Sequence, residues 1–271
     1  MENSQMPHLL KRHSTALCSA SLLALVSLQA HAEGPEDRAT YGFDLGIGGM
    51  VRPAYEGSDD EKLRAMPLVR GFYNTQIGRF SLGENGLTWS IPLYSFEVGA
   101  SLGFDRGRKE SASPDLAGLG DISRSTTGGL FGIYRRGPLD LRISGKSTLT
   151  SNNRSSATMD LGAGYHFKLS DRWILTPGVS ATWANAHYMQ RYFGVTDEQS
   201  YNSGLPEFHA ESGWKNAGVG LNVMYRLSKS WGVMADVRQN VLLGDAADSP
   251  ITRKKNQTSG MLGISYHWQD Q

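Results

Sequence analysis

Between Met159 and Trp183 the chain alternates oily and polar side chains one for one, twice over. In the first arm Met159, Leu161, Ala163, Tyr165, Phe167 and Leu169 share one parity, and Asp160, Gly162, Gly164, His166 and Lys168 the other. Ser170-Asp171-Arg172 intervenes, and then Trp173, Leu175, Pro177, Val179, Ala181 and Trp183 oppose Thr176, Gly178, Ser180 and Thr182. Successive strand side chains point to opposite faces, so strict period two specifies a strand. Two such arms around three polar residues make an antiparallel hairpin. Each arm exceeds the roughly five or six residues of an ordinary soluble strand. Aromatics sit towards the arm ends, and the other face is glycine, hydroxyl and charge. One face for hydrocarbon and one for a polar lumen is the signature of a membrane-barrel hairpin.

The first residues form an address. Lys11-Arg12 precede an apolar run from Ala16 to Ala30 that ends in Ala30-His31-Ala32. A charged start, an apolar middle and a small-x-small end predict a cleaved signal peptide over residues 1–32, with cleavage between Ala32 and Glu33. That run is too short for a spanning helix, and Leu17 with the continuing apolar run argues against lipidation of Cys18. Cleavage removes the only cysteine, so the mature chain has no disulfide. Removing residues 1–32 takes Lys11, Arg12 and Glu2 from 27 basic and 26 acidic residues, leaving 25 of each. Zero net charge argues against nucleic acid as a partner. No apolar run in the remainder reaches the length of a transmembrane helix.

Alternation recurs along the whole of residues 33–271. Tyr41–Val51 carries apolar residues at odd positions against Gly42, Asp44, Gly46 and Gly48; Leu63–Tyr73 sets Arg64 and Arg70 on its polar face. Asn85-Gly86 signals a tight hairpin between two shorter strands. Tyr94, Phe96, Val98, Ala100, Leu102 and Phe104 alternate with Glu97 and small residues. Ile122–Tyr134 has ambiguous facing, and Arg135-Arg136-Gly137-Pro138 turns the chain. Leu139, Leu141 and Ile143 oppose Arg142 and Lys146. Ala217–Leu227, Trp231–Leu243 and Gly260–Trp268 complete the set. Long connections near 53–62, 106–121, 187–213 and 244–256 alternate with tight ones near 74–76, 135–138, 170–172 and 228–230, as external loops alternate with periplasmic turns in outer-membrane barrels. The expected fold is all-β: a closed, antiparallel, up-and-down transmembrane barrel of twelve strands, or ten without the Glu84-Asn85 hairpin. The expected location is the Gram-negative outer membrane, in contact with its lipid and lipopolysaccharide.

Asp44, Glu97, Arg142, Lys146, Asp160, Asp236 and Arg238 fall on lumen-facing parity. Both signs are present, so they pair across the interior or line a small aqueous path; the cost of burying unpaired charge favours pairing. The aromatic stretch Tyr188, Met189, Arg191, Tyr192 and Phe193, with Tyr201 and Phe208, is either a recognition loop or an inward-folded constriction; exposing so many aromatics to water favours the second.

Four loop motifs carry a family resemblance: Pro53-Ala-Tyr-Glu-Gly-Ser-Asp59, Gly118-Leu-Gly-Asp121, Tyr188-Met-Gln-Arg-Tyr-Phe-Gly-Val195 with Ser203-Gly-Leu-Pro206, and Leu243-Gly-Asp-Ala-Ala-Asp-Ser-Pro-Ile251. With these the chain resembles the MipA/OmpV family of outer-membrane proteins, the MltA-interacting protein family, over essentially its whole mature length. Arg191 stands where the family more often has a small polar residue, and the chain ends Trp268-Gln-Asp-Gln271, not on an aromatic. The resemblance implies a non-enzymatic barrel. For some members it implies a scaffold joining a murein lytic transglycosylase to a penicillin-binding peptidoglycan synthase; other members are surface antigens or adhesins. It implies no catalytic residues and no cofactor.

His187 near the outer end of its strand and His209 in the long loop lack a nucleophile motif, and His166 and His267 fall on lumen parity, where hydrogen-bonded packing is the plainer reading. Asp59-Asp60-Glu61 and Asp245/Asp248 lack the spacing of a calcium loop. Arg253-Lys254-Lys255 is either a solvated turn or a contact for lipopolysaccharide phosphates. Gly46-Ile-Gly48 and Gly118-Leu-Gly120 precede no helix and suit crowded inner faces or turns better than phosphate cradles. The alternatives to a scaffold are a small pore for a polar solute and an adhesin presenting the long loop.

Overall fold

A computed structural model describes residues 41–83, 86–149 and 155–270. Residues 1–32, the Ala32/Glu33 cleavage point, the Glu84-Asn85 tip and Ser151–Arg154 lie outside the described residues. The described chain is a single antiparallel sheet closed on itself. Its strands are β1 Tyr41–Pro53, β2 Glu61–Thr75, β3 Gly78–Gly83, β4 Gly86–Leu93, β5 Phe96–Asp105, β6 Ser125–Arg136 and β7 Leu139–Thr148. They continue with β8 Ala157–Tyr165, resumed as Phe167–Lys168, then β9 Trp173–Ala184, β10 Gly213–Arg226, β11 Trp231–Leu242 and β12 Asn256–Gln269. Each strand pairs with its sequence neighbours, and β1 pairs with β12 from Gly42 opposite Gln269 to Val51 opposite Gly260. This is the twelve-stranded solution. The Gly83–Gly86 pairing keeps β3 and β4 in the wall as a short hairpin.

The facing follows the alternation. Leu45, Ile47, Leu63, Val69, Phe96, Leu102, Leu130, Ile143, Val179, Val219, Val237 and Leu262 are exposed on the outside, as a wall against hydrocarbon requires. Inside, glycines let strands crowd. A Cβ on Gly46 would lie 2.2 Å from the Ile264 carbonyl oxygen across the closing seam, and one on Gly263 would meet the buried Leu68 at 2.6 Å. Aromatics gather at the turn end: Tyr41–Trp268, Phe96–Tyr134, Tyr165–Phe167, Trp173–Tyr225 and Trp231–Tyr266 are ring pairs with centroids between 4.5 and 5.4 Å apart. Such a girdle suits the membrane–water interface, which is apolar on one side and wet on the other.

Four local expectations are corrected. The sixth strand starts at Ser125 and runs through Arg135 and Arg136, so Arg135 belongs to the wall rather than to a turn. Tyr94 is not a strand residue but sits at a turn, with φ +54. The first arm of the Met159–Trp183 hairpin breaks at His166. His187 is not on a strand: the long loop holds α1 Ala186–Phe193 and α2 Asp197–Ser203, and the last loop holds α3 Gly244–Asp248.

Candidate functional site

The loops converge on one end of the barrel and pack there into a cap. Asn185 caps α1, its side chain accepting from the Tyr188 amide at 2.9 Å. Thr196 and Gln199 close a reciprocal capping box on α2. α1 then buries Met189 and Phe193 against Ala184, Ala210, Leu242, Ala246 and Ala247, joined at the edge by Tyr188, Tyr192 and Phe208. A second cluster joins Tyr55, Leu116, Leu119, Val195 and Ile251, drawn from four different loops. Of the aromatic loop residues, Tyr188, Met189, Tyr192, Phe193 and Phe208 therefore face the cap interior. Tyr201 stands apart on α2, 91% exposed.

Polar contacts tie the aromatic helix to the wall. The Lys215 ammonium, placed at a register shift between Thr182 and Trp183 of the partner strand, lies 2.5 Å from Glu56 and donates to the Tyr188 hydroxyl at 3.3 Å. Tyr188 in turn donates to Glu56 at 3.2 Å. Tyr192 stacks on Tyr188 at 4.6 Å and donates to Asp105 at 2.5 Å. Arg191 donates to the Ser123 carbonyl at 2.5 Å and lies 3.9 Å from Asp105. Arg108, buried, donates to the Tyr192 carbonyl at 2.9 Å, while its Nε has no partner among the described residues. Burial, reinforced by the Glu56 carboxylate, pushes the Tyr188 phenol well up. Burial and the hydrogen bond to Asp105 do the same to Tyr192. Both phenols stay protonated donors at any physiological pH, so they act as struts and not as nucleophiles.

Below the cap the lumen charges mostly pair. Glu97 accepts from Arg135 at 2.6 Å, and Asp140 lies 3.4 Å from Arg135 and 2.6 Å from Arg142. Arg238 pairs with Asp236 at 2.8 Å, Asp44 contacts His267 at 2.7 Å, and Asp160 accepts from Thr182 at 2.7 Å. Lys146 has no ion pair among the described residues. His166 lies 3.0 Å from Thr176. Arg135 and Asp140 are among the lumen members that sequence reasoning missed, the first hidden by a turn signal and the second by its place at the start of a strand. A cavity of about 1090 Å³ extends past Arg142, Lys146 and Asp160 up to Tyr188, and a second of about 980 Å³ lies beneath the loops.

The remaining candidates serve loop packing. Asp245 accepts from the Glu211 amide at 2.6 Å, and Asp248 and Arg253 pair with Lys255 and Asp115, each at 3.0 Å. His209 lies 3.2 Å from Glu207 on the surface, and His187 is exposed. No group of three or more potential metal ligands occurs among the described residues.

A family model described as MltA-interacting protein MipA matches residues 45–268. The MltA-interacting protein of Escherichia coli K12 is 24% identical over 251 residues, covering 90% of this chain and 95% of that protein. A putative outer membrane protein of the same organism, YiaT, is 23% identical over 104 residues, 38% of this chain and 42% of that protein. Among solved structures, OmpT of Vibrio cholerae, an outer membrane protein, aligns with 88% of this chain and all of its own at 13% identity, with a TM-score of 0.41.

Proposed function

This chain belongs to the MltA-interacting protein MipA family, and from that premise we propose that it is a non-enzymatic outer-membrane barrel, delivered by a cleaved leader over residues 1–32, that holds a murein lytic transglycosylase at its turn side, near a penicillin-binding synthase. The observation that supports this reading is the contrast between the two ends of the barrel. At the loop end Tyr188, Tyr192, Phe193 and Phe208 pack inward, Tyr201 alone of that stretch standing out, whereas the turn end presents several unpacked apolar tips. Ile77 and Leu169 are largely exposed there, and Tyr94 is fully exposed in the left-handed backbone region. A non-glycine residue held at positive φ is costly and marks a place where function outweighs local comfort. Arg136, Arg172 and Lys229 stand at neighbouring turns, giving the rim a mixed apolar and basic character suited to a small docking surface.

The test is co-purification of the detergent-solubilised mature chain with a purified lytic transglycosylase, repeated with Tyr94→Ser and Ile77→Ser. Retention by the native chain and loss by the variants supports the reading. Failure of the native chain to retain the enzyme overturns it. The cavity passing Arg142, Lys146 and Asp160 favours a second reading, a small pore for a polar solute. Steady conductance in planar bilayers, reduced by Arg142→Ala or Glu97→Ala, would establish that reading in place of the first.

A further inference from the structure

The wall of the barrel is not complete on the loop side. β2 pairs with β1 along its whole length, from Tyr73 opposite Tyr41 to Glu61 opposite Pro53. Its other edge meets β3 only between Gly71 and Thr75. Among the described residues, Glu61–Val69 therefore have a strand neighbour on one side only. Across the gap, β5 pairs with β4 from Phe96 to Leu102, and among the described residues Gly103, Phe104 and Asp105 have no strand partner on that edge. The short β3–β4 hairpin is the sill. The loop after β5 is the lintel, tied down by a hydrogen bond from the Lys62 ammonium to the Ala112 carbonyl. An unpaired strand edge facing hydrocarbon is costly, because its amides and carbonyls find no water there. A gap of this kind persists where something polar reaches it.

The 1090 Å³ cavity reaches both edges of the gap: Arg64, Ala65, Met66, Pro67 and Val69 of β2 and Gly103, Phe104 and Asp105 of β5 border it. On the lumen side of the opening stand Arg52, Arg64 and Arg106, near enough that the charges of Arg64 and Arg106 both act on Arg52. None of the three has an ion pair among the described residues. The carboxylates bordering the same space are occupied elsewhere, Asp105 by Tyr192 and Arg191, and Asp160 by Thr182. On the membrane side Leu63 and Phe104 are 76% and 73% exposed.

We propose that this window is a lateral binding site for a phosphate-bearing lipid of the loop-side leaflet. Arg52, Arg64 and Arg106 receive the headgroup phosphate from within, while the acyl chains stay in the bilayer against Leu63, Val69 and Phe104. Guanidinium groups match phosphate oxygens in geometry as well as charge. A free anion would satisfy the arginines but not the apolar frame, and a neutral lipid the reverse. The site needs both halves.

Native mass spectrometry of the full mature barrel, released from detergent with phosphatidic acid, provides the test. The expected result is one retained lipid per chain. Diacylglycerol of the same chain length is retained weakly, inorganic phosphate at equal concentration does not displace the lipid, and the triple variant R52Q/R64Q/R106Q weakens retention about tenfold or more. Heat-modifiable gel mobility establishes that the variant is folded. If it is not, a bulky maleimide on Ala65→Cys, the only thiol of the mature chain, slows loading without touching the arginines. Equal retention by the folded triple variant, equal retention of diacylglycerol, displacement by inorganic phosphate, or unchanged loading of the labelled Ala65→Cys chain overturns the proposal.

Discussion

Replacing Phe193 by alanine separates the stability of the cap from that of the barrel. Phe193 is fully buried among Met189, Ala184, Ala210, Leu242, Ala246 and Ala247, and its carbonyl accepts from the Ser249 hydroxyl at 2.6 Å. A buried phenylalanine truncated to alanine costs about 3–5 kcal/mol through lost burial and the cavity left behind. None of the β-ladder passes through this residue, so the penalty falls on the closed state of the loops. A cost of that size raises the opened fraction by roughly two to three and a half powers of ten. Limited proteolysis reports it: the variant should be cut within residues 185–212 far faster than the native chain, while its heat-modifiable mobility and β-type circular dichroism stay native. Unchanged cleavage would mean that the cap is held by the polar ties alone. Loss of the folded gel band would mean that cap and barrel are one cooperative unit. Either result refutes the reasoning.

Two further outcomes follow from named contacts. Gly46→Ala forces a methyl towards the Ile264 carbonyl across the β1–β12 seam, an overpacking that costs about 1–3 kcal/mol. The temperature at which the folded gel band disappears should fall, and it should not fall for Gly145→Ala, where the added Cβ meets nothing within 4 Å. Asp121, accepting from the Lys109 ammonium at 2.5 Å and the Glu110 amide at 2.8 Å, is held below the usual carboxylate range by those bonds. A depressed acid stabilises the fold above its unfolded value and loses that contribution as pH falls through the folded one. Hydrogen-exchange protection across residues 109–120, taken relative to the intrinsic rate at each pH, should therefore fall on acidification from neutral to below that range, and Asp121→Asn should abolish that pH-dependent loss of protection.

Alternation makes most of the wall legible in the sequence, because hydrocarbon outside tolerates only apolar residues at every second position. It failed at β6 for the same physical reason in reverse. Phe131 and Ile133 face inward while Gly128 and Gly132 face out, so neither parity of that strand is distinctly oily. The cap was legible only as an aromatic stretch that would rather be buried. The Thr196–Gln199 capping box was a helix signal available in the sequence. The partners of α1 were not, since Glu56 and Lys215 lie 132 and 27 residues from Tyr188. The seven charges expected in the lumen were selected by parity, but who pairs with whom depends on stagger between strands, which local pattern does not encode. The window was invisible for that reason too: it exists because β3 is short relative to β2, a mismatch of lengths across a turn.

The join between the opening and closing strands makes this molecule indivisible in time as well as in space. Its rungs link Gly42 with Gln269 and Val51 with Gly260, contacts between the first strand and the last. Such pairings are slow to find. Until synthesis and export have delivered the final segment, the earlier ones have no circle to complete, and a product truncated before Asn256 would carry two raw borders into oil. Closure of the ring is therefore the last step its wall can take.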